Sequence, residues 1–263
     1  MNRKFGIEIE ATNVAMRDVA NALNAVGILC AVEGYNHQTR NHWKVVTDCS
    51  ISGSQGFELV SPILQGEDGL MQVAIVGDTL ERLGAKVNTS CGLHVHIDGR
   101  DLTVNSMSRI CKMWLKYEAC FDSIVPKSRR NNRFAAGIRS KFATLEAGFA
   151  KLATATSIQG LTRIMNSDGY SGSSRYHKLN LESMVRHGTV EFRQHSGTVN
   201  GLKMVNWVKL VGGFVESAVN AKAINTKGEG KFENLLQVTP DATVRKFYRE
   251  RRVALATEVG ATA

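Results

Sequence analysis

The stretch Cys91-Gly92-Leu93-His94-Val95-His96-Ile97-Asp98, CGLHVHID, decides the fold. Side chains of a strand alternate between two faces, so Leu93, Val95 and Ile97 line one face and His94, His96 and Asp98 the other. The apolar row suits a core. The opposite row carries ionisable groups where a strand facing water ordinarily carries Thr, Lys or Ser. Two more stretches repeat the arrangement. FGIEIE, from Phe5, sets Glu8 and Glu10 on one face with Ile7 and Ile9 behind them. TVEFRQH, from Thr189, sets Glu191, Arg193 and His195 on one face with Val190 and Phe192 behind. Strands that are apolar on one side and densely ionisable on the other predict a sheet whose open face is a reaction surface.

Working outward, Lys4 to Ala11 reads as the first strand, followed by a helix from about Val14 with Val19, Ala22, Leu23 and Val26 as its stripe and Thr12 or Asn13 as its cap. HWKVVTDCSI reads as a strand with Asp48 and Ser50 spaced for one face, and FELVSP as a short strand carrying Glu58 and ended by Pro62. From Gly66, Leu70, Val73, Gly77, Leu80 and Leu83 step at helical spacing, with Gly84 at the C-cap. Thr103 or Asn105 opens a helix through Met107, Ile110, Trp114, Tyr117 and Phe121, closed by Pro126, and another helix is expected from about Ser140 through Leu152. The segment NSDGYSGSSRYHKLNLE is turn-rich and becomes strand-like from Tyr176. A long amphipathic run follows from Leu202 to Val219, and a last helix is expected near Pro240, in the first helical position. The sum is an α+β fold: a mostly antiparallel sheet, helices packed on its apolar face, and the other face left for an active-site cavity.

Lys and Arg outnumber Asp and Glu by 33 to 24, a net charge of +9 that favours nucleotides, nucleic acid or acidic peptides as partners. Only 3 Pro and no Ser- or Gln-rich run argue against a long disordered linker. The 5 cysteines form no CxxC pair, the pattern of reduced thiols in a cytoplasm. No apolar run reaches the roughly 18 residues of a membrane span or the length of a signal peptide, so the expectation is a cytoplasmic protein without a membrane partner.

Three chemistries compete for these residues. An H-x-H pair can chelate zinc, which would give a metal-dependent hydrolase centred on His94, His96 and Asp98; the H-x-H-x-D-H pattern fails, since Gly99 stands where its last His is needed. Glu8, Glu10, Glu58 and Glu191, each in a short apolar strand, would repel one another on a shared surface unless cations were present. Hard oxygen ligands suit magnesium or manganese, and magnesium usually comes with substrate phosphates. Arg193 beside Glu191 fits that reading, because a guanidinium grips phosphate or carboxylate bidentately. Cross-strand salt bridges on a wet face would use the same residues. Lys127, Arg129, Arg130 and Arg133, interleaved with Asn131, Asn132 and Phe134, form a loop able to fold over an anion. Arg245, Lys246, Arg249, Arg251 and Arg252 form a second basic cluster, a solvent face or the polyanion patch of a nucleic-acid-binding module. GEGKF lacks the spacing and the hydroxyl of a P-loop, and no strand–GxGxxG–helix unit occurs, so any nucleotide here must be held by carboxylate-bound metal and arginines.

Taken in order, FGIEIE, W-x-V-x-x-D-x-S with E-L-V-S-P, CGLHVHID, PKSRRNNRF, RYHKLNL and GTVEFRQHSGT resemble the blocks of the amidoligase family, carboxylate–amine ligases related to glutamate–cysteine ligase and glutamine synthetase. The resemblance runs from about Phe5 to Asn200, with Cys49 where the second block has glycine. It implies the antiparallel catalytic fold of those enzymes and ATP-dependent amide formation through an acyl phosphate. It implies Glu8, Glu10, Glu58 and Glu191 as ligands of Mg2+ (or Mn2+) and ATP, and Arg130, Arg133, Asn180 and Arg193 as phosphate or substrate contacts. Catalysis would fall to Glu8, His94, His96 and Arg193, with a histidine or a free carboxylate taking the amine's proton. The implied partners are ATP, a carboxylate and an amine on an amino acid, peptide, polyamine or protein, and further copies of the chain in a homo-oligomer; nucleic acid is not favoured. On this reading residues 1–222 are the catalytic domain and 223–263 a basic extension with a helix packed on the same domain.

Overall fold

A computed structural model of the chain describes residues 3–169, 174–225 and 227–260, so part of the turn-rich segment expected from Asn166, residues 170–173, lies outside the described residues. The chain falls into two compact units, Met1–Ile97 with His195–Val208, and Asp98–Gln194 with Lys209–Ala263. The architecture is mixed α+β, and the strand pairs within each unit are antiparallel save one.

In the first unit β1 (Phe5–Ala11) is followed by α1 (Met16–Ala25), β2 (Cys30–Val32), β3 (Trp43–Val46), β4 (Phe57–Val60), α2 (Gly66–Arg82) and β5 (Gly92–Asp98). The strands lie in the order β2-β3-β4-β1-β5, and only β2–β3 is parallel. Phe5, Ile7, Ile9, Trp43, Val45, Phe57, Leu59, Leu93, Val95 and Ile97 are all buried and form the apolar side. Helix α1 packs on β2 and β3. Helix α2 lies on the same side: its Gly69 backs onto the Phe5 ring, and Gln72 Oε1 accepts a 3.2 Å bond from Trp43 Nε1. Gly84 follows the C-cap of α2 at φ +77, the conformation that glycine adopts without cost.

Thr12 and Asn13 do not cap α1. Ala15 occupies that position, while Thr12 Oγ1 and Asn13 Nδ2 donate to the carbonyls of Lys86 and Gly84, tying the end of β1 to the end of α2. The strand through HWKVVTDCSI stops at Val46, because Asp48 Oδ1 accepts the Ser50 N–H at 2.7 Å and closes a turn instead of extending a strand face.

The second unit holds α3 (Val104–Asp122), α4 (Leu145–Ala153), α5 (Ile158–Asn166), β6 (Leu179–Asn180), α6 (Glu182–His187), most of β7 (Thr189–Ser196) and of α7 (Gly201–Asn220), α8 (Phe232–Leu236) and α9 (Ala242–Gly260). Thr103 and Ser106 form a reciprocal capping box at the start of α3. Trp114, Phe121, Phe192 and Phe214 pack as one aromatic cluster with ring centroids 4.9–6.1 Å apart. The helix expected over 140–152 is instead a 3-10 turn, Arg139–Lys141, and then α4, whose cap is Thr144. The strand from Tyr176 shrinks to β6, and α9 begins after Pro240, with Asp241 Oδ1 accepting the Thr243 N–H at 2.9 Å. Helix α8 packs on α3, and Arg251 of α9 donates to the Ile124 carbonyl at 2.8 Å.

Candidate active site

Register decides which side chains meet. In an antiparallel pair, residues directly opposite share a face. Glu8 lies opposite Val60 and His94, Glu10 opposite Glu58, and Gly6 opposite His96; across the next pair, Glu58 faces Val46 and Val60 faces Lys44. Glu8, Glu10, Glu58, His94, His96 and Lys44 therefore share the side of the first unit's sheet away from α1 and α2.

Within this group one donor atom each from Glu10, Glu58 and His94 lies within 4.8 Å of the others. His94 stands between two carboxylates, Nδ1 3.1 Å from Glu8 Oε2 and Nε2 3.7 Å from Glu10 Oε1. The second oxygen of Glu10 accepts the Gly92 N–H at 2.6 Å, which fixes the carboxylate's orientation from the backbone of β5. His96 Nε2 lies 3.4 Å from Glu8 Oε1. Burial pushes the Glu8 carboxyl up, but the His96 and His94 rings outweigh it by charge and hydrogen bonding and hold Glu8 well below the usual carboxylate range.

The two carboxylate oxygens suit magnesium or manganese and the imidazole nitrogen a transition ion such as manganese, and three protein donors leave coordination positions for water or phosphate oxygens. The hydrolase arrangement is not assembled. Among the described residues neither His96 nor Asp98 enters a group of three potential ligands, and the Asp98 carboxylate pairs with Arg100 at 3.1 Å.

In the second unit Glu191 sits between Asn180 and Arg193. Its Oε2 accepts from Asn180 Nδ2 and its Oε1 from Arg193 Nη1, both at 2.5 Å. The main chain of Arg193 is clamped from both sides: its N–H donates to the Lys178 carbonyl at 2.9 Å, and its carbonyl accepts from Arg129 Nη2 at 2.6 Å. Arg129 is thus the buried arginine of PKSRRNNRF, and it also reaches the Gln194 carbonyl at 3.2 Å. Arg130 donates to the Val125 carbonyl at 3.2 Å, and the exposed Arg133 stacks 4.4 Å over Phe134. The basic cluster of α9 is engaged within the chain: Arg245 bonds the Thr239 carbonyl, Arg249 pairs with Glu233, Arg252 covers the Phe232 ring and Lys246 pairs with Glu250.

Sequence reading passed over Lys44 and Lys178, and took Arg129 only as one cation of a basic loop rather than as the clamp on Arg193. Lys178 Nζ bonds both oxygens of Asp122, at 2.7 and 2.9 Å, and lies 3.5 Å from Glu118 Oε1. Asp122 also accepts from Gln194 Nε2, and Glu118 from Trp114 Nε1 and the backbone of Ile138 and Arg139. A signal was there: Glu118 and Asp122 are four apart on an otherwise apolar helix face, which places both carboxylates on one side.

A family model described as "Putative amidoligase enzyme" matches residues 1–215. No curated protein matches the chain. Among solved structures, a GmaS/ADP complex in its conformation 1 is similar at 12% identity and TM-score 0.46, covering 99% of this chain and 70% of that one. A novel glutamine synthase homolog is similar at 11% identity and TM-score 0.44, covering 99% and 67%.

Proposed function

The chain belongs to the amidoligase family, and from that premise we propose that it joins a carboxylate to an amine with hydrolysis of ATP to ADP and phosphate. The observation that carries the reading is the meeting of Glu10, Glu58 and His94 on one sheet face, with Glu8 held ionised beside His94. These three would hold the divalent ion, Mg2+ or Mn2+, which when bound neutralises phosphate charge. Arg193, aligned by Glu191 and clamped at its own peptide, is the proposed cation for the phosphoryl oxygens, with Asn180, Arg130 and Arg133 as further contacts.

The chemistry follows in two displacements. A substrate carboxylate oxygen attacks the γ-phosphorus, the bond to the β–γ bridging oxygen breaks, and ADP leaves. The amine nitrogen then attacks the acyl carbon, the carbon–oxygen bond to phosphate breaks, and the amine gives up one proton. Phosphoryl transfer asks mainly for position and charge neutralisation. Because His94 belongs to the ligand group, His96 is the proposed proton acceptor, with Glu8 at 3.4 Å stabilising the imidazolium that results. The proposed roles amount to a glutamine synthetase-like active face, in a chain proposed to be cytoplasmic and homo-oligomeric, acting on an amino acid, peptide, polyamine or protein. The test is phosphate release across panels of carboxylates and amines. Release that requires one of each supports ligation; release with a carboxylate alone, or full turnover by a Glu10→Gln, Glu58→Gln double variant, overturns it.

A further inference from the structure

Lys44 is a cation on the carboxylate face to which the proposed chemistry gives no role. It is 3% exposed, on β3, with Val46 opposite Glu58 and Lys44 itself opposite Val60, whose other neighbour is Glu8. Lys44 is therefore the diagonal neighbour of Glu58 on that face, a Cα separation of about 7–8 Å in sheets. Burial lowers its basicity most, Glu33, Glu58 and Glu8 draw on its charge, and Arg40 opposes them. Its Nζ is held by the Asn36 carbonyl at 2.9 Å, Asn36 Oδ1 at 2.8 Å and the Gln38 carbonyl at 2.9 Å. The segment that supplies these oxygens is tied in turn to Glu33, which accepts from Asn36 Nδ2 at 2.9 Å and pairs with Arg40 at 3.0 Å and His42 at 2.9 Å.

We propose that Lys44 is a positioning residue of the carboxylate face: its fixed charge lets Glu8, Glu10 and Glu58 stand together without a metal, keeps divalent-ion affinity low enough for the ion to come and go with its phosphate-bearing substrate, and seats the loop 33–42 at the edge of that face. The inference rests on the metal role proposed above for Glu10, Glu58 and His94. For a unit charge and a divalent ion taken as about 7–8 Å apart, with the intervening carboxylates screening them to an effective dielectric of about 40–80, the repulsion changes affinity about 5- to 40-fold. A lysine that merely filled space would have no such effect, and its loss would loosen the site and weaken binding.

The experiment is titration of the purified full chain with Mn2+ alone, by calorimetry and electron paramagnetic resonance. Lys44→Met should bind Mn2+ about 5- to 40-fold more tightly than the unaltered protein, and Lys44→Arg within about twofold of it. If Lys44→Met does not fold, Lys44→Gln keeps a donor toward the loop, loses the charge and carries the same expectation. Asn36→Ala leaves the charge and removes one anchor, so Mn2+ affinity should hold while limited proteolysis within 33–42 accelerates. Unchanged or weaker Mn2+ binding by the neutral variants overturns the electrostatic role alone, and unchanged proteolysis of Asn36→Ala overturns the seating of the loop. Absence of Mn2+ binding by the unaltered chain removes the metal role itself and this inference with it.

Discussion

Replacing Lys178 with methionine tests how the second unit holds Arg193. The side chain is 2% exposed, and its ammonium touches both oxygens of Asp122 while lying 3.5 Å from Glu118. Methionine fills much the same volume and leaves two carboxylates without their cation. Removing one partner of a buried ion pair costs about 3–5 kcal/mol, because the survivor stays charged in a poor solvent. Two features pull the figure down. Glu118 retains the Trp114 indole and two backbone donors, and the Asp122 side chain is 28% exposed and retains Gln194. The expected loss is therefore about 3 kcal/mol in urea unfolding near pH 7.5. Its pH dependence has a definite sign. Burial pushes the Asp122 carboxyl up even with Lys178 present, and loss of the ammonium raises it further. A carboxyl whose folded pKa exceeds its unfolded one contributes most at low pH, and that contribution is lost as pH rises through the folded value. The deficit of Lys178→Met should accordingly shrink from pH 8 to pH 5, and adding Asp122→Asn should recover part of it. A loss under about 1 kcal/mol, or one that does not vary with pH, would refute the account of Lys178 as the counter-ion of this network.

Glu58→Gln removes one of three donors and should weaken Mn2+ binding at least about tenfold with the far-ultraviolet circular dichroism unchanged; equal affinity would remove Glu58 from the ligand set. Gly77→Ala places a methyl 2.5 Å from the Gly201 backbone, an overpacking that should cost about 1–3 kcal/mol in denaturant unfolding, whereas a neutral result would mean the helices can part. His177 accepts from Lys141 Nζ at 2.6 Å through Nε2, and burial together with the Lys141 charge lowers its pKa below 6.5. A base depressed in the folded state favours folding above its unfolded value, so this contribution should be lost as pH falls from 6.5 through the folded pKa; His177→Gln should flatten the melting temperature between pH 7 and 5, and an unchanged slope would exclude His177 as its source.

Much of this arrangement can be read from alternation alone. Period-two patterning in FGIEIE and CGLHVHID puts Glu8, Glu10, His94 and His96 on one face, and FELV adds Glu58, because a strand has two sides and a core takes one. The same parity runs through Lys44, Val46 and Asp48, but a lysine in a short strand looks like a solvent residue until a loop is seen closing over it. Arg129 and Arg130 are adjacent and chemically alike; which one turns inward depends on the carbonyls of β7, sixty-odd residues away in sequence, and no local pattern records that. Helix α5 was invisible for a different reason: it is short, and the cap at Ser157 that starts it is a single hydroxyl among many.

The opposite-facing rows of β1 have an evolutionary corollary. Ile7 and Ile9 maintain the interior while Glu8 and Glu10 furnish ligands, so inserting or deleting a single codon there would exchange the two rows and ruin both at once. Length changes are tolerated instead in the connecting segments, and 33–42, anchored on Lys44 of that same face, is placed to vary without disturbing either row.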